Sequence, residues 1–250
     1  AIQQITTAIT SRRNSIHSIS RINGARKAAA ACGERLGRDH AVPCGAELLV
    51  RPDGGEAAGL PEPLPRAAVE PLKFFSESAV AQPGKGLVIR GKEVLDWRSK
   101  LSNFAPIPGG MEVDGRTFAM VETYFQGSKA LFSTHKGMID EFVVGPTNKY
   151  STGKAAKRAG GKPHYTKVGA ELDVPRWDAN CDAVMERGLR ARFACDAEFA
   201  EILLSTRGRT LLHSTPRPDK HWCGTWKDGE IRGENTLGKL LMKIRDEVPQ

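Results

Sequence analysis

The chain has 250 residues, 40% of them hydrophobic and 26% charged, with a formal net charge of +8. That balance belongs to an ordinary globular protein, and no run of eighteen apolar residues exists to cross a membrane as a helix. The excess of Lys and Arg suits an anionic partner such as a nucleotide, a nucleic acid or a ribonucleoprotein surface.

The five cysteines, Cys32, Cys44, Cys181, Cys195 and Cys223, include no C-x-x-C pair, which argues for free thiols in a reducing, intracellular compartment. The six histidines form no H-E-x-x-H or similar pattern, so neither a metal nor another cofactor is expected.

Taken in order, residues 1–38 are rich in Ser, Thr, Ala, Ile and Arg. Ala1 to Gly33 contains Arg12, Arg13, Arg21, Arg26 and Lys27 and no acid. Organellar targeting segments have this composition, so a mitochondrion or other organelle is one expected location and the cytoplasm the other. From about Asp39 to Pro71 the chain is Pro/Gly-rich, as in Arg51-Pro52-Asp53-Gly54-Gly55 and Leu60-Pro61-Glu62-Pro63-Leu64-Pro65. Proline at that density blocks helix and central strand. Residues 1–71 therefore read as an extended basic arm and linker, suited to anchoring in a large protein or ribonucleoprotein complex, and residues 72–250 as one folded domain.

The domain opens with a short strand at Leu72–Ser76, then a strand or inserted hairpin at Gly86–Arg90. Met111–Phe118 reads as a hairpin turning on Asp114-Gly115. Helices are expected at Val121–Phe132, His135–Val144, Thr152–Ala159, Ala179–Phe193 and Ala197–Ser205. In the fourth, Cys181, Val184, Met185, Gly188, Leu189 and Arg192 mark the packed side. A strand Thr210–His213 leads into a loop, Ser214–Gly233, and the last helix, Thr236–Val248, follows Asn235 as its cap. The class is α+β: mostly helical, with a small sheet.

The Val121–Phe132 helix carries the chemistry. Val121, Phe125, Ser128 and Phe132 fall at i, i+4, i+7 and i+11 and form a packing stripe, and Glu122, Gln126 and Lys129 repeat that spacing one residue along. Either Glu122 and Lys129 pair across an ordinary polar flank, or an acid, an amide and an amine are held at a buried edge for use.

Leu101-Ser102-Asn103-Phe104, Glu122-Thr123-Tyr124-Phe125-Gln126-Gly127-Ser128-Lys129, Asp219-Lys220-His221-Trp222 and the run from Gly233 to Arg245 occur in one order. Over about residues 72–248 the sequence resembles the NADAR/YbiA-like family of N-glycosidases acting on ribosylated bases. The resemblance implies a compact YbiA-like domain that cleaves the bond between ribose C1 and a base nitrogen. Its substrate would be a phosphoribosylamino intermediate of riboflavin synthesis or ADP-ribosyl-guanine.

It implies Lys129 as a Schiff-base nucleophile, its free amine favoured by apolar neighbours, with Glu122 or Asp219 moving protons. Asn103, with Phe104 beside it, and Gln126 would hold ribose or base edges, Trp222 would stack on the base, and Asn235 and Arg245 would receive phosphate. Four departures stand out against the family pattern. His213 stands where a Glu is usual, Cys223 where a Gly is usual, Gly160-Gly161 lacks a following Arg, and the loop from His213 to Asp219 is one residue longer. They leave two readings open, altered specificity or lost activity. In the second, the domain is a non-catalytic structural subunit of a large, organellar assembly.

Overall fold

The computed structural model describes residues 69–249, so all but the last three residues of the expected 1–71 arm lie outside the described residues. Strand β1 (Leu72–Phe74) is followed by a hairpin of β2 (Leu87–Ile89) and β3 (Lys92–Val94), and by a one-turn helix α1 (Trp97–Lys100). The expected second hairpin forms as β4 (Met111–Val113) and β5 (Arg116–Phe118). Its turn residues Asp114 and Gly115 have φ of 52° and 74°. A two-residue turn that matches strand twist needs positive φ at both positions.

Helix α2 (Val121–Ser128) tightens into a 3-10 turn over Lys129–Phe132. Lys136–Phe142 is also 3-10, where an α-helix was expected over His135–Val144. His135 offers that segment no side-chain cap and Gly137 sits in its first turn, which leaves an α-helix there without support.

Helix α3 (Gly153–Ala159) is capped by the Thr152 side chain, which accepts from the Ala155 N–H at 3.2 Å. Two unforeseen short helices, α4 (Lys162–Lys167) and α5 (Val174–Asp178), each start with a proline in the first turn, where its missing N–H costs nothing. Then come α6 (Cys181–Cys195), α7 (Ala197–Ser205) and β6 (Leu211–His213), which pairs in parallel with β1, Leu72 opposite Leu211. The expected loop Ser214–Gly233 contains one more hairpin, β7 (Thr225–Lys227) and β8 (Glu230–Arg232), turning on Asp228-Gly229. Helix α8 (Thr236–Asp246) ends the fold. Every sheet among the described residues has two strands, so the domain is α+β with helices carrying the core.

Helix α2 is that core's axis, with all eight of its residues buried. It packs against α3, α6 and the Lys136–Phe142 segment. Met185, Gly188, Leu189 and Arg192 form the buried stripe of α6. A Cβ on Gly188 would fall 2.7 Å from Tyr124 Cδ1, so glycine there sets the approach of α6 to α2. Arg192 tolerates burial because Asp196 Oδ2 (3.1 Å) and the Ser102 carbonyl (2.9 Å) accept its protons, while Phe199 lies under its guanidinium.

Asn235 does not cap α8 with its side chain. It sits in the left-handed region at φ 51°, buried, and its amide bridges β6. Oδ1 accepts from the His213 N–H at 3.0 Å and Nδ2 donates to the Leu211 carbonyl at 2.9 Å. A side-chain amide thus takes the place of a neighbouring strand.

Candidate active site

Glu122 and Gln126 are both 5% exposed on the edge of α2, and Gln126 Nε2 donates to Glu122 Oε1 at 2.8 Å. The Glu122 backbone N–H is taken by the Asn103 carbonyl at 3.0 Å, which fixes the Leu101–Phe104 segment over the start of the helix. Burial pushes the Glu122 carboxyl above its ordinary range, opposed by the Gln126 hydrogen bond and by the charges of Lys157 and Lys129.

Lys129 does not answer Glu122 with a direct pair. At the switch from α to 3-10 geometry its Nζ turns to the Gly160 carbonyl, 3.1 Å away. Nζ also lies 5.7 Å from the centre of the Phe125 ring and 5.4 Å from that of Trp177. Burial lowers its pKa, against the opposing charges of Glu122, Cys181 and Asp178 and with the help of Lys157. The outcome is an amine poised toward its free, nucleophilic form, next to a carboxyl poised toward holding a proton.

An aromatic wall stands beside them. Trp222 meets Phe125 edge-on at 5.3 Å, Phe125 meets Trp177 at 5.0 Å, and Trp177 meets Phe132 at 5.4 Å. Trp222 is carried on a turn that Asp219 organises: Asp219 Oδ1 accepts from the backbone N–H groups of His221 (2.9 Å) and Trp222 (3.0 Å). Two side-chain carbonyls of this region, Asn103 Oδ1 and Gln126 Oε1, are buried without a protein partner. Both are shut off from solvent, and buried acceptors left without a donor are uncommon.

The remaining expected residues lie elsewhere. Phe104 packs against Gly153 at the start of α3 and lines a cleft of about 380 Å³ with Lys100, Arg192 and Asp196. A second cleft of about 220 Å³ is lined by Tyr124, Ser128, Phe132 and Arg187. Neither contains Glu122, Gln126, Lys129 or Trp222. Arg245 is not available to a phosphate. Its Nη1 donates to the carbonyls of Thr206 (2.8 Å) and Arg209 (2.9 Å), and Nε and Nη2 face Asp246. A buried guanidinium needs those acceptors, and they tie α8 to the end of α7. Asn235, as described, serves β6.

A histidine in water titrates near neutrality. Burial instead pushes its pKa down to about 4, with Lys157 adding to the effect and the Trp222 carbonyl, 3.3 Å from Nδ1, opposing it. Its ring stacks on Phe74 at 5.3 Å.

One residue was missed. Exposed on α3, Lys157 is the one cation among the described residues whose charge acts on Glu122, Lys129 and His213 together. The sequence signal was the basic run Lys154, Lys157, Arg158 and Lys162, which reads by itself as a solvated helix face.

A lysine amine and a carboxyl with opposite pKa perturbations thus stand on one buried helix and its 3-10 continuation, beside a row of aromatic rings. Residues 93–249 match the NADAR domain model, and the chain belongs to that family. It is 31% identical over 150 residues to N-glycosidase YbiA of Escherichia coli (strain K12), covering 59% of this chain and 79% of that one. An N-glycosidase of Nostoc punctiforme is 28% identical over 148 residues, covering 59% and 83%. The chloroplastic riboflavin biosynthesis protein PYRR of Zea mays is 29% identical over 153 residues, covering 59% and 23%. The NMR structure of E. coli YbiA superposes with a TM-score of 0.48 at 25% identity, covering 73% of this chain and 88% of that one.

Proposed function

We propose that this chain is an N-glycosidase that hydrolyses the bond between C1 of a ribose and the nitrogen of a base, with Lys129 as nucleophile. The observation that carries the reading is the Lys129 amine: desolvated, without a direct carboxylate pair, and held beside the buried Glu122–Gln126 couple. The N-glycosidase names of the bacterial relatives agree with it.

Opening of the ribose ring leaves C1 doubly bonded to the base nitrogen. Lys129 Nζ adds to C1 and passes one of its protons to the base nitrogen, Glu122 gives the second, and the C1–N bond breaks to release the base as a free amine. C1 is then an imine of Lys129. Water adds to that carbon after losing a proton to the Glu122 carboxylate. Collapse returns the lysine amine and frees the sugar as its aldehyde. One water is consumed and no redox partner is needed.

Asn103 Oδ1 and Gln126 Oε1 accept from sugar hydroxyls, Trp222 faces the base, Asp219 holds the turn that presents Trp222, and Lys157 meets phosphate. The substrate is a ribosylated base carrying phosphate. The maize relative's name favours a phosphoribosylamino intermediate of riboflavin synthesis, and ADP-ribosyl-guanine is the second arm of the test.

Each substrate is incubated with the protein and borohydride, then digested for mass spectrometry. The expected result is a reduced sugar adduct on Lys129 with one of the two substrates, and none in Lys129→Ala. Sugar release by Lys129→Ala within tenfold of the parent rate refutes the assignment.

A further inference from the structure

The turn that carries Trp222 is fastened to the first turn of α6 by one imidazole. His221 Nε2 lies 2.6 Å from Asp182 Oδ1, and His221 Nδ1 lies 2.6 Å from Glu234 Oε2. The Cys181 thiol lies 3.5 Å from the same Asp182 Oδ1. Sulfur, carboxylate oxygen and imidazole nitrogen all fall within 4.8 Å of one another, although His221 is far from the other two in the chain. Asp182, His221 and Glu234 have no role in the glycosidase reading above, and Cys181 enters it only through its charge on Lys129.

We propose that Cys181, Asp182 and His221 form a binding site for a borderline divalent transition-metal ion of the zinc type, with Glu234 as the outer partner of the histidine. One thiolate, one imidazole and one carboxylate are a donor set that selects such an ion over magnesium or calcium. Bonds of about 2.0–2.3 Å to a tetrahedral ion place neighbouring ligand atoms about 3.3–3.8 Å apart. The sulfur–oxygen separation already has that value. The 2.6 Å nitrogen–oxygen contact has to open by about 1 Å, and Asp182 is free to do so because its side chain is 53% exposed.

The hydrogen bonding of His221 points the same way. A neutral imidazole has one N–H, yet both nitrogens here face carboxylates. One of those contacts needs a positive bridge, either a second proton or a metal ion on Nε2. With the ion in place, Nδ1–H donates to Glu234, the carboxylate–histidine–metal arrangement that orients metal-binding imidazoles. The Asp178 backbone carbonyl accepts from the Cys181 thiol at 3.4 Å and holds the sulfur beside Asp182. Loading deprotonates Cys181 and releases that proton to solvent. The ion clamps the Trp222 turn to α6, and three protein ligands leave it an open fourth position. The absence of a sequence motif concealed the site, because its ligands converge only in the fold.

The full chain, stripped with chelator, is titrated with Co²⁺. The expected result is a thiolate-to-cobalt absorption band in the near ultraviolet, displaced by zinc, absent in Cys181→Ser and kept in Cys195→Ser. Glu234→Gln weakens binding by about 10–100-fold, the usual effect of removing such an outer partner. His221→Gln weakens it further. No band on addition of Co²⁺, or a band that survives in Cys181→Ser, overturns the proposal.

Discussion

Gly160 is the most exacting test of the site's geometry. Its φ of −77° suits any residue, so alanine there meets no backbone strain. In an open position Gly160→Ala would stabilise the protein by about 0.4–1 kcal/mol through the unfolded chain. Here the added Cβ lands 1.9 Å from Gln126 Oε1, 2.7 Å from its Cδ and 3.0 Å from its Cβ. Gln126 is buried and has no room to retreat without leaving Glu122. Overpacking of this kind costs about 1–3 kcal/mol, and a buried carboxyl deprived of its donor costs about 1–3 kcal/mol more. The net expectation is a loss of roughly 1–5 kcal/mol, read as a lower urea midpoint at unchanged m. Because the Gly160 carbonyl also holds Lys129, an ångström of displacement lowers kcat/KM by about 100-fold. The double variant Gly160→Ala/Gln126→Ala removes the clash and recovers part of the stability, since the two sites touch and cannot be additive. A Gly160→Ala protein as stable as the parent, or more so, refutes the reasoning.

Lys129→Met loses N-glycosidase activity and gains roughly 1 kcal/mol of stability at pH 7, because it removes a desolvated ammonium. The lysine pKa is depressed in the folded state. Its contribution is therefore fully present above the unfolded value of 10.5 and lost as pH falls, so the variant's advantage in urea shrinks between pH 7 and pH 10.5. A variant less stable than the parent at pH 7 counts against a desolvated charge. The His213 pKa is depressed from 6.5 to about 4, so the parent loses roughly 2–3 kcal/mol as pH falls through that window. His213→Gln loses less over the same range, and equal losses would show that another group is responsible. Asn235→Ala breaks both amide bridges to β6 and strains a residue at φ 51°, costing roughly 2–4 kcal/mol. Asn235→Gly recovers about 1 kcal/mol of that, and equal stability of the two variants would remove the backbone part of the explanation.

Patterns that a short window contains were legible. Periodicity placed α2, α6, α7 and α8, and Asp114-Gly115 placed a hairpin. The same Asp-Gly signal stands at Asp228-Gly229, but its flanking strands, Thr225–Lys227 and Glu230–Arg232, hold only one apolar residue each, too short an alternation to stand out in the sequence. The edge of α2 was legible as chemistry, Glu122, Gln126 and Lys129 being one helix spacing apart. Their partners were not. No local rule says that Lys129 turns to Gly160, that Asn235 completes β6, or that Arg245 is consumed by the end of α7. Each depends on segments dozens of residues away, and each polar group's partner is decided by which acceptor the fold buries beside it. Lys157 was missed for the same reason: an exposed lysine on a short helix has no meaning until the helix is docked.

His213 shows what such docking does to a substitution. A histidine in place of an acid suggests a group switching charge near neutrality. Burial against Phe74 lowers its pKa to about 4 instead, against the opposing hydrogen bond to the Trp222 carbonyl, so the ring brings no charge to the site near neutrality. Lys157, exposed on α3, acts on both His213 and Glu122. The reacting groups are untouched, since the Glu122–Gln126 bond and the Lys129–Gly160 contact do not involve His213. In the proposed function the substitution bears on which anion binds rather than on whether the bond is cut. His213→Glu is expected to raise KM for a phosphorylated substrate about tenfold, the equivalent of one screened charge pair of about 1.4 kcal/mol, with kcat kept. A fall in kcat at unchanged KM would place His213 among the reacting groups and sink this account of the substitution.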